Sequence, residues 1–189
     1  MARGAELIES VPAPQPPARA GSLQWVGMLA VASVAVVADQ VTKHVIDRTI
    51  PTGEVRDVLP FIHLTHVSNS GIAFGFLPGR LGVVSVLTIG AVIWMLVHFA
   101  RSGSRHVVFP VALGLLVGGS VSNLYDRIVH GRVTDFIQLP HWPTFNLADS
   151  FIVVGVLLLL VGIARVDRAP APESRHQAPA DDAATAPPV

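Results

Sequence analysis

Four long apolar stretches alternate with short polar segments along the chain. They run from Leu23 to Ala38 with a polar extension to Ile46, from Leu81 to Ala100, from Val107 to Tyr125, and from Phe151 to Ala164 with a polar lead-in. A helix needs about 20 residues to cross the hydrocarbon core of a bilayer, and the first and last stretches reach that length only with their polar ends. The pattern predicts an all-α membrane protein with four transmembrane helices. Because three spans follow the first, a retained helix is favoured over a cleaved signal peptide.

The segment between the first and second stretches has a different period. From Phe61 to Val67, apolar and polar side chains roughly alternate, which is typical of a half-buried strand. Pro51, Gly53, Pro60 and Gly71 divide the region into turns. We therefore expect a small β-containing cap on the outer face of the membrane.

The overall composition agrees with a membrane protein. Hydrophobic residues make up 51% of the chain and charged residues 14%, and the mean hydropathy is +0.55, which excludes an ordinary soluble domain. The formal net charge is zero, so no basic field favours nucleic acid. Cysteine is absent, which excludes disulfides, thiolate metal sites and a cysteine nucleophile.

On an alternating strand His63 and His66 would point to opposite faces, so we expect no metal site and no cofactor.

The ends of the chain differ from its centre. Residues 1–20 and 169–189 are rich in Ala and Pro and are predicted to be disordered tails that flank a four-helix domain at residues 21–168.

An even number of spans places both termini on one side of the membrane. Arg and Lys are divided nearly equally between the two sides, with a modest bias toward cytoplasmic termini and a functional face on the outer side.

The polar end of the first stretch carries an acid four residues ahead of a base. Asp39 and Lys43 would stack on one helical face in the order that favours an ion pair. Two interpretations remain open for this pair. It is either a salt bridge that lowers the cost of two charges near lipid, or part of a functional site.

The third stretch combines small and polar residues. Small side chains that recur every four residues allow another helix to approach closely; these are Gly114, Gly118 and Ser122. One turn further, Asn123, Asp126 and Arg127 share a face. Asn123 and Arg127 can form helix-end hydrogen bonds and snorkel to the interface, or they can line a site.

Asp135 and Asp149 lie where apolar stretches meet water. A carboxylate at a bilayer boundary is costly and usually functional. Asn146 and Asp149 also have the spacing of a capping box that opens the fourth helix, and a structural and a functional role are compatible there.

Two neighbouring carboxylates can hydrolyse an amide bond without further groups. Like charges a few ångströms apart do not both ionise cheaply, so the pair shares one proton and contains a base and an acid at once. The base activates water and the acid protonates the carbonyl oxygen. The chain has no His-Glu-x-x-His or Gly-x-Ser-x-Gly motif. We interpret it as an intramembrane aspartyl peptidase.

An ordered set of short motifs resembles the lipoprotein signal peptidase family, also called signal peptidase II. The resemblance covers about residues 25–165. The motifs are Asp39-Gln40-x-x-Lys43, Asn69-x-Gly71-x-Ala73-Phe74, Gly118-Gly119-x-x-x-Asn123-x-x-Asp126-Arg127, Val133-x-Asp135-Phe136 and Phe145-Asn146-x-Ala148-Asp149.

The resemblance implies a multi-pass enzyme of the bacterial plasma membrane that cuts diacylglyceryl-modified prolipoproteins before the lipidated Cys. It further implies contact with membrane lipids and inhibition by globomycin. The catalytic pair of the family falls on Asp135 and Asp149. The substrate-binding positions, including the first-helix motif, fall on Asn69, Asn123, Arg127, Asn146, Asp39 and Lys43.

Two positions depart from the family pattern. Ser122 stands where the family usually has Gly, and Ile72 where it commonly has Ala. Ser122 is small enough to preserve the helix contact, with its hydroxyl expected to bond a backbone carbonyl, while Ile72 could alter the shape of the pocket.

Other classes of protein fit the sequence less well. A proton-coupled transporter would need titratable groups throughout the membrane depth, whereas here they cluster at one face. A structural scaffold would not need so many polar groups at one boundary. An inactive homologue that binds lipidated peptides is the remaining alternative, and the presence of both Asp135 and Asp149 argues against it.

Overall fold

The computed structural model describes residues 20–70, 81–101 and 107–166. These residues form four helices and three strands in the order α1 (Ser22–Thr49), β1 (Val55–Leu59), β2 (Ile62–Asn69), α2 (Leu81–Arg101), α3 (Val108–Val129), β3 (Val133–Gln138) and α4 (Leu147–Val166). Each helix forms where an apolar stretch predicts one. Of the predicted tails, only Ala20 is among the described residues. Gly71 and Ile72, which the sequence motifs include, also lie outside the described residues.

Three of the helices are long and apolar enough to cross a membrane. These are α1, α2 and α3, whereas the apolar part of α4, Leu147–Gly162, is shorter. Large apolar side chains face outward from the first two, with Val34 68% exposed on α1 and Val86 68% exposed on α2. Contiguous exposed apolar surface is typical of contact with lipid. The protein is therefore a mostly helical membrane protein, and the fourth transmembrane helix remains a prediction.

α3 lies at the centre of the helices and contacts α1, α2 and α4. Glycines allow the close approach. A methyl group on Gly118 would lie 2.7 Å from the carbonyl oxygen of Ala32 on α1, and one on Gly114 would lie 2.7 Å from that of Met28. On the other side of α3, a methyl group on Gly119 would collide with the carbonyl oxygen of Ala148 on α4. The predicted role of small residues in helix packing is confirmed at Gly114 and Gly118.

The three strands form an antiparallel sheet in the order β1-β2-β3. β2 confirms the strand that the alternating segment predicts. β3 is a strand that the sequence pattern does not predict, and it carries Asp135. In the β2–β3 pairing Asn69 lies opposite Val133, and Val67 opposite Asp135. This register brings the end of β2 to the carboxylate of Asp135.

The sheet is attached to one end of the helices. Ile46 and Ile50 at the end of α1 form a buried apolar cluster with Phe136 of β3. His66 of β2 adds polar contacts, with Nδ1 2.9 Å from the carbonyl oxygen of Ile50 and Nε2 3.1 Å from Oδ1 of Asp47. The sheet thereby fixes β3 beside the C-terminal ends of α1 and α3.

Substituting Gly118 with Ala tests the close packing of α1 against α3. We expect Gly118→Ala to lower the stability by about 1–3 kcal/mol, because the added methyl group forces the two backbones apart. The matched control is Gly90→Ala, since a methyl group there would meet nothing within 4 Å. Thermal unfolding in detergent micelles measures both variants. Equal melting temperatures would contradict the packing described here.

Candidate active site

A cavity of about 520 Å³ opens between α3, α4, β3 and the segment that precedes α4. Apolar side chains that include Trp142, Phe145 and Ile152 line part of it. Six polar side chains predicted as site residues also line the cavity, namely Asn69, Asn123, Arg127, Asp135, Asn146 and Asp149. Residues far apart in sequence thus share one site.

Asp135 is held by two amide donors. Its side chain is buried, with the residue 2% exposed. Oδ1 accepts a hydrogen bond from Nδ2 of Asn146 at 2.7 Å, and Oδ2 accepts one from Nδ2 of Asn69 at 2.7 Å. The pKa of Asp135 is raised to about 6, chiefly because burial disfavours the charged form; the hydrogen bonds from Asn69 and Asn146 oppose this shift, and the charge of Asp149 adds to it. Asp135 therefore keeps its proton to a higher pH than an exposed aspartate.

Asp149 lies in the first turn of α4 and takes part in a capping box. Its backbone N–H donates to Oδ1 of Asn146 at 3.0 Å, and the backbone N–H of Asn146 donates to Oδ2 of Asp149 at 3.3 Å. The capping box that the spacing predicts is confirmed. Oδ1 of Asp149 accepts a further hydrogen bond from Nδ2 of Asn123 at 2.8 Å, so the carboxylate is fixed from two helices.

Asn146 connects the two acids. Its Nδ2 donates to Oδ1 of Asp135 at 2.7 Å and to Oδ1 of Asn123 at 3.2 Å, while its backbone and Oδ1 bond Asp149. The side chain is fully buried at 0% exposure. One residue thus sets the position of both carboxylates relative to each other.

Arg127 provides positive charge at the edge of the cavity. Its Nη1 donates to the backbone carbonyl of Asn123 at 3.3 Å. Within the described part of the chain, its buried Nε has no hydrogen-bond partner. A guanidinium group has five N–H donors, so donors remain for a ligand in the cavity.

Asp39 and Lys43 do not line the cavity and lie behind it instead. The ion pair that their spacing predicts is confirmed, with Nζ of Lys43 2.6 Å from Oδ2 of Asp39. The same Nζ is 2.6 Å from Oδ2 of Asp126 on α3, and Gln40 donates to Oδ1 of Asp126 at 2.9 Å. Gln40 and Asp126 belong to the sequence motifs, but no role is predicted for them from the sequence. The sequence signal for a shared role was their spacing, since Gln40 lies three residues before Lys43 and Asp126 lies three residues after Asn123.

Ser122 corrects one expectation. Its hydroxyl donates to Oδ2 of Asp39 at 2.7 Å rather than to a backbone carbonyl. A buried carboxylate requires donors, and the close approach of α1 to α3 places this hydroxyl within reach. Ser122 therefore joins the buried polar contacts between the two helices.

Apolar helices long enough to cross a membrane, together with a cavity that holds the buried Asp135 and the half-buried Asp149, are features of the class of membrane-embedded enzymes. Within that class the chain belongs to the signal peptidase II family, because the model of this family, described as signal peptidase (SPase) II, matches residues 31–165. The chain is accordingly a protease of the lipoprotein signal peptidase family that acts on prolipoproteins in a membrane.

Individual relatives agree with this assignment. A lipoprotein signal peptidase of Staphylococcus haemolyticus is 33% identical over 142 residues, which cover 72% of this chain and 90% of that protein. One of Janthinobacterium sp. (strain Marseille) is 36% identical over 146 residues, which cover 73% and 86%. A solved structure of a bacterial membrane enzyme superposes with a TM-score of 0.71 at 29% identity, covering 82% of this chain and 95% of that one.

Removal of the Asn69 amide tests how the site controls the pKa of Asp135. The hydrogen bond from Asn69 favours the ionised carboxylate, so Asn69→Ala should move the pKa upward from about 6. A pH titration of the carboxyl ¹³C signals of aspartate in micelles measures the shift, with Asp135→Asn assigning the resonance. An unchanged or lower pKa would contradict the assigned contact.

Proposed function

We propose that Asp135 and Asp149 are the catalytic carboxylates of this protease. The observation that carries the proposal is their convergence on one cavity, where Asn146 bonds both of them. The reaction is hydrolysis of the peptide bond that precedes the diacylglyceryl-modified Cys of a prolipoprotein.

In the proposed mechanism the two carboxyl groups share one proton. Asp135 holds it, in keeping with its raised pKa, and ionised Asp149 acts as the base. Asp149 takes a proton from water as the water oxygen bonds to the carbonyl carbon, and Asp135 gives its proton to the carbonyl oxygen. When the C–N bond breaks, the amine of the lipidated Cys takes the proton that Asp149 received. The remaining hydroxyl proton returns to Asp135.

The other polar side chains of the cavity are proposed to hold the substrate backbone and the two acids. Arg127 can donate to a carbonyl oxygen of the substrate, since its Nε has no hydrogen-bond partner among the described residues. Asn69, Asn123 and Asn146 already donate to the carboxylates, which supports a positioning role together with any contact to substrate. The apolar wall that includes Trp142 offers a surface for the lipid-bearing part of the substrate and for globomycin, the proposed inhibitor.

We propose that α4 completes a set of four transmembrane helices. α1 and α3 end, and α4 begins, at the side of the sheet and the cavity, so α1 begins and α4 ends on the opposite side. Both termini are then cytoplasmic, and the site faces the outer side of the plasma membrane, as the modest bias of Arg and Lys favours. A substrate anchored by acyl chains would meet the cavity near the lipid headgroups. Residues 21–168 form the peptidase domain in this arrangement, with 1–20 and 169–189 as cytoplasmic tails.

Conversion of either acid to an amide tests the catalytic pair. We expect Asp135→Asn and Asp149→Asn each to reduce kcat by at least about 10²- to 10⁴-fold, because each removes a group that transfers a proton. Cleavage of a diacylglyceryl-prolipoprotein in detergent with EDTA present gives the rates. Asp57→Asn is the matched control, since this side chain of β1 is 83% exposed and contacts His63 rather than the cavity. Normal turnover in either acid variant would refute the assignment.

The proposed proton on Asp135 predicts the pH dependence of cleavage. Because the free enzyme loses this proton as pH rises through about 6, kcat/KM should decline on the alkaline side of that value. A steady-state pH profile of kcat/KM in one detergent measures this decline. A kcat/KM that rises through pH 6 to a plateau would instead assign Asp135 as the base and reverse the two roles.

A further inference from the structure

A buried charge cluster, defined as Asp39, Lys43 and Asp126, lies behind the cavity between α1 and α3. The three residues are 0%, 3% and 4% exposed. Replacing buried ions by well-packed apolar residues often leaves stability unchanged or improves it. Stability alone therefore does not explain why three charged side chains are buried here. The contacts between this cluster and the active site offer a functional explanation.

Lys43 contacts the site through one residue. Its Nζ donates to Oδ1 of Asn123 at 2.8 Å in addition to its two carboxylate partners. An ammonium group has three donors and no acceptor. Each of the three N–H donors of Lys43 therefore has a partner. Its partner on Asn123 must be the amide oxygen, because the amide NH₂ group does not accept a hydrogen bond.

The ammonium group at 2.8 Å is the closer of two donors to the Asn123 oxygen, the other being Nδ2 of Asn146 at 3.2 Å, and together they fix which way the Asn123 amide faces. The oxygen and nitrogen ends of an amide have nearly the same shape, so hydrogen-bond partners decide between the two orientations. With its oxygen bound to Lys43, Asn123 directs Nδ2 to Oδ1 of Asp149 at 2.8 Å. The reverse orientation would place an amide oxygen against a carboxylate oxygen and would leave Asp149 without this donor.

We propose that Lys43 is a positioning residue for peptide-bond hydrolysis, whose ammonium group locks the Asn123 amide so that it holds Asp149 in place. The inference rests on the proposed function, in which Asp149 is catalytic. It replaces the expectation that Lys43 binds substrate, because Lys43 is buried and does not line the cavity. The assignment also includes Asp39, which holds the ammonium group and accepts a hydrogen bond from the backbone N–H of Ala148 at 2.8 Å.

A comparison of kcat with KM separates positioning from substrate binding. Lys43→Met keeps the length of the side chain and removes every donor. We expect kcat to fall about 10²-fold with KM unchanged, as for a misplaced catalytic group. Ser122→Ala is the matched control, because it removes a hydrogen bond from the same cluster and leaves the ammonium group on Asn123. We expect this control to retain kcat. A higher KM at unchanged kcat in Lys43→Met would overturn the inference.

A double-mutant cycle tests whether Lys43 acts through Asn123. In an Asn123→Ala background, Lys43→Met should cause no further loss of kcat, whereas independent roles would multiply the two losses and overturn the inference. Thermal unfolding verifies that each variant is folded. If Lys43→Met fails to fold, Lys43→Gln takes its place in both experiments, because its amide does not impose one orientation on Asn123. Wild-type cleavage in the same assay tests the proposed function separately, so a Lys43 variant with normal kcat overturns only this inference.

Discussion

Polar and charged side chains in an apolar environment require hydrogen-bond partners, and this constraint determines the arrangement of the whole site. Asp39 is fully buried, and its two oxygens accept hydrogen bonds or ion contacts from α1, α3 and the first turn of α4. Lys43 extends the contacts to Asn123, and Asn123 extends them to Asp149. The position of one proposed catalytic carboxylate therefore follows from charges that lie outside the cavity.

Close helix packing makes these contacts possible. A methyl group on Gly118 would press against α1, and one on Gly119 would collide with the backbone of α4. Without these glycines, the hydroxyl of Ser122 and the backbone N–H of Ala148 would not both reach the carboxylate of Asp39. The glycines of α3 thus serve the site as well as the packing of the bundle, which links the stability of the fold to its chemistry.

The sequence predicted the helices and one strand because each has a local signal, whereas among the polar residues of the cavity Asn69 was predicted only through the family resemblance. Apolar length located α1 to α4, alternation located β2, and spacing located both the Asp39–Lys43 pair and the Asn146–Asp149 capping box. The short segment that becomes β3 lacked such a signal. Val133–Gln138 is a strand because it pairs with β2, and pairing between distant segments is not visible in a local pattern. The hydroxyl of Ser122 was assigned the wrong partner for the same reason, since the carboxylate it bonds belongs to another helix. The placement of Lys43 behind the cavity also depended on tertiary contacts.

Peptide-bond cleavage before the lipidated Cys is tested most directly by the mass of the product formed when the purified protein is incubated with a diacylglyceryl-prolipoprotein in detergent and EDTA. We expect two fragments, a released signal peptide and a lipoprotein whose first residue is the lipidated Cys. An uncut substrate, under conditions in which an authentic signal peptidase II releases both fragments, would contradict it. Cleavage at any other bond would contradict the proposed arrangement of substrate and carboxylates.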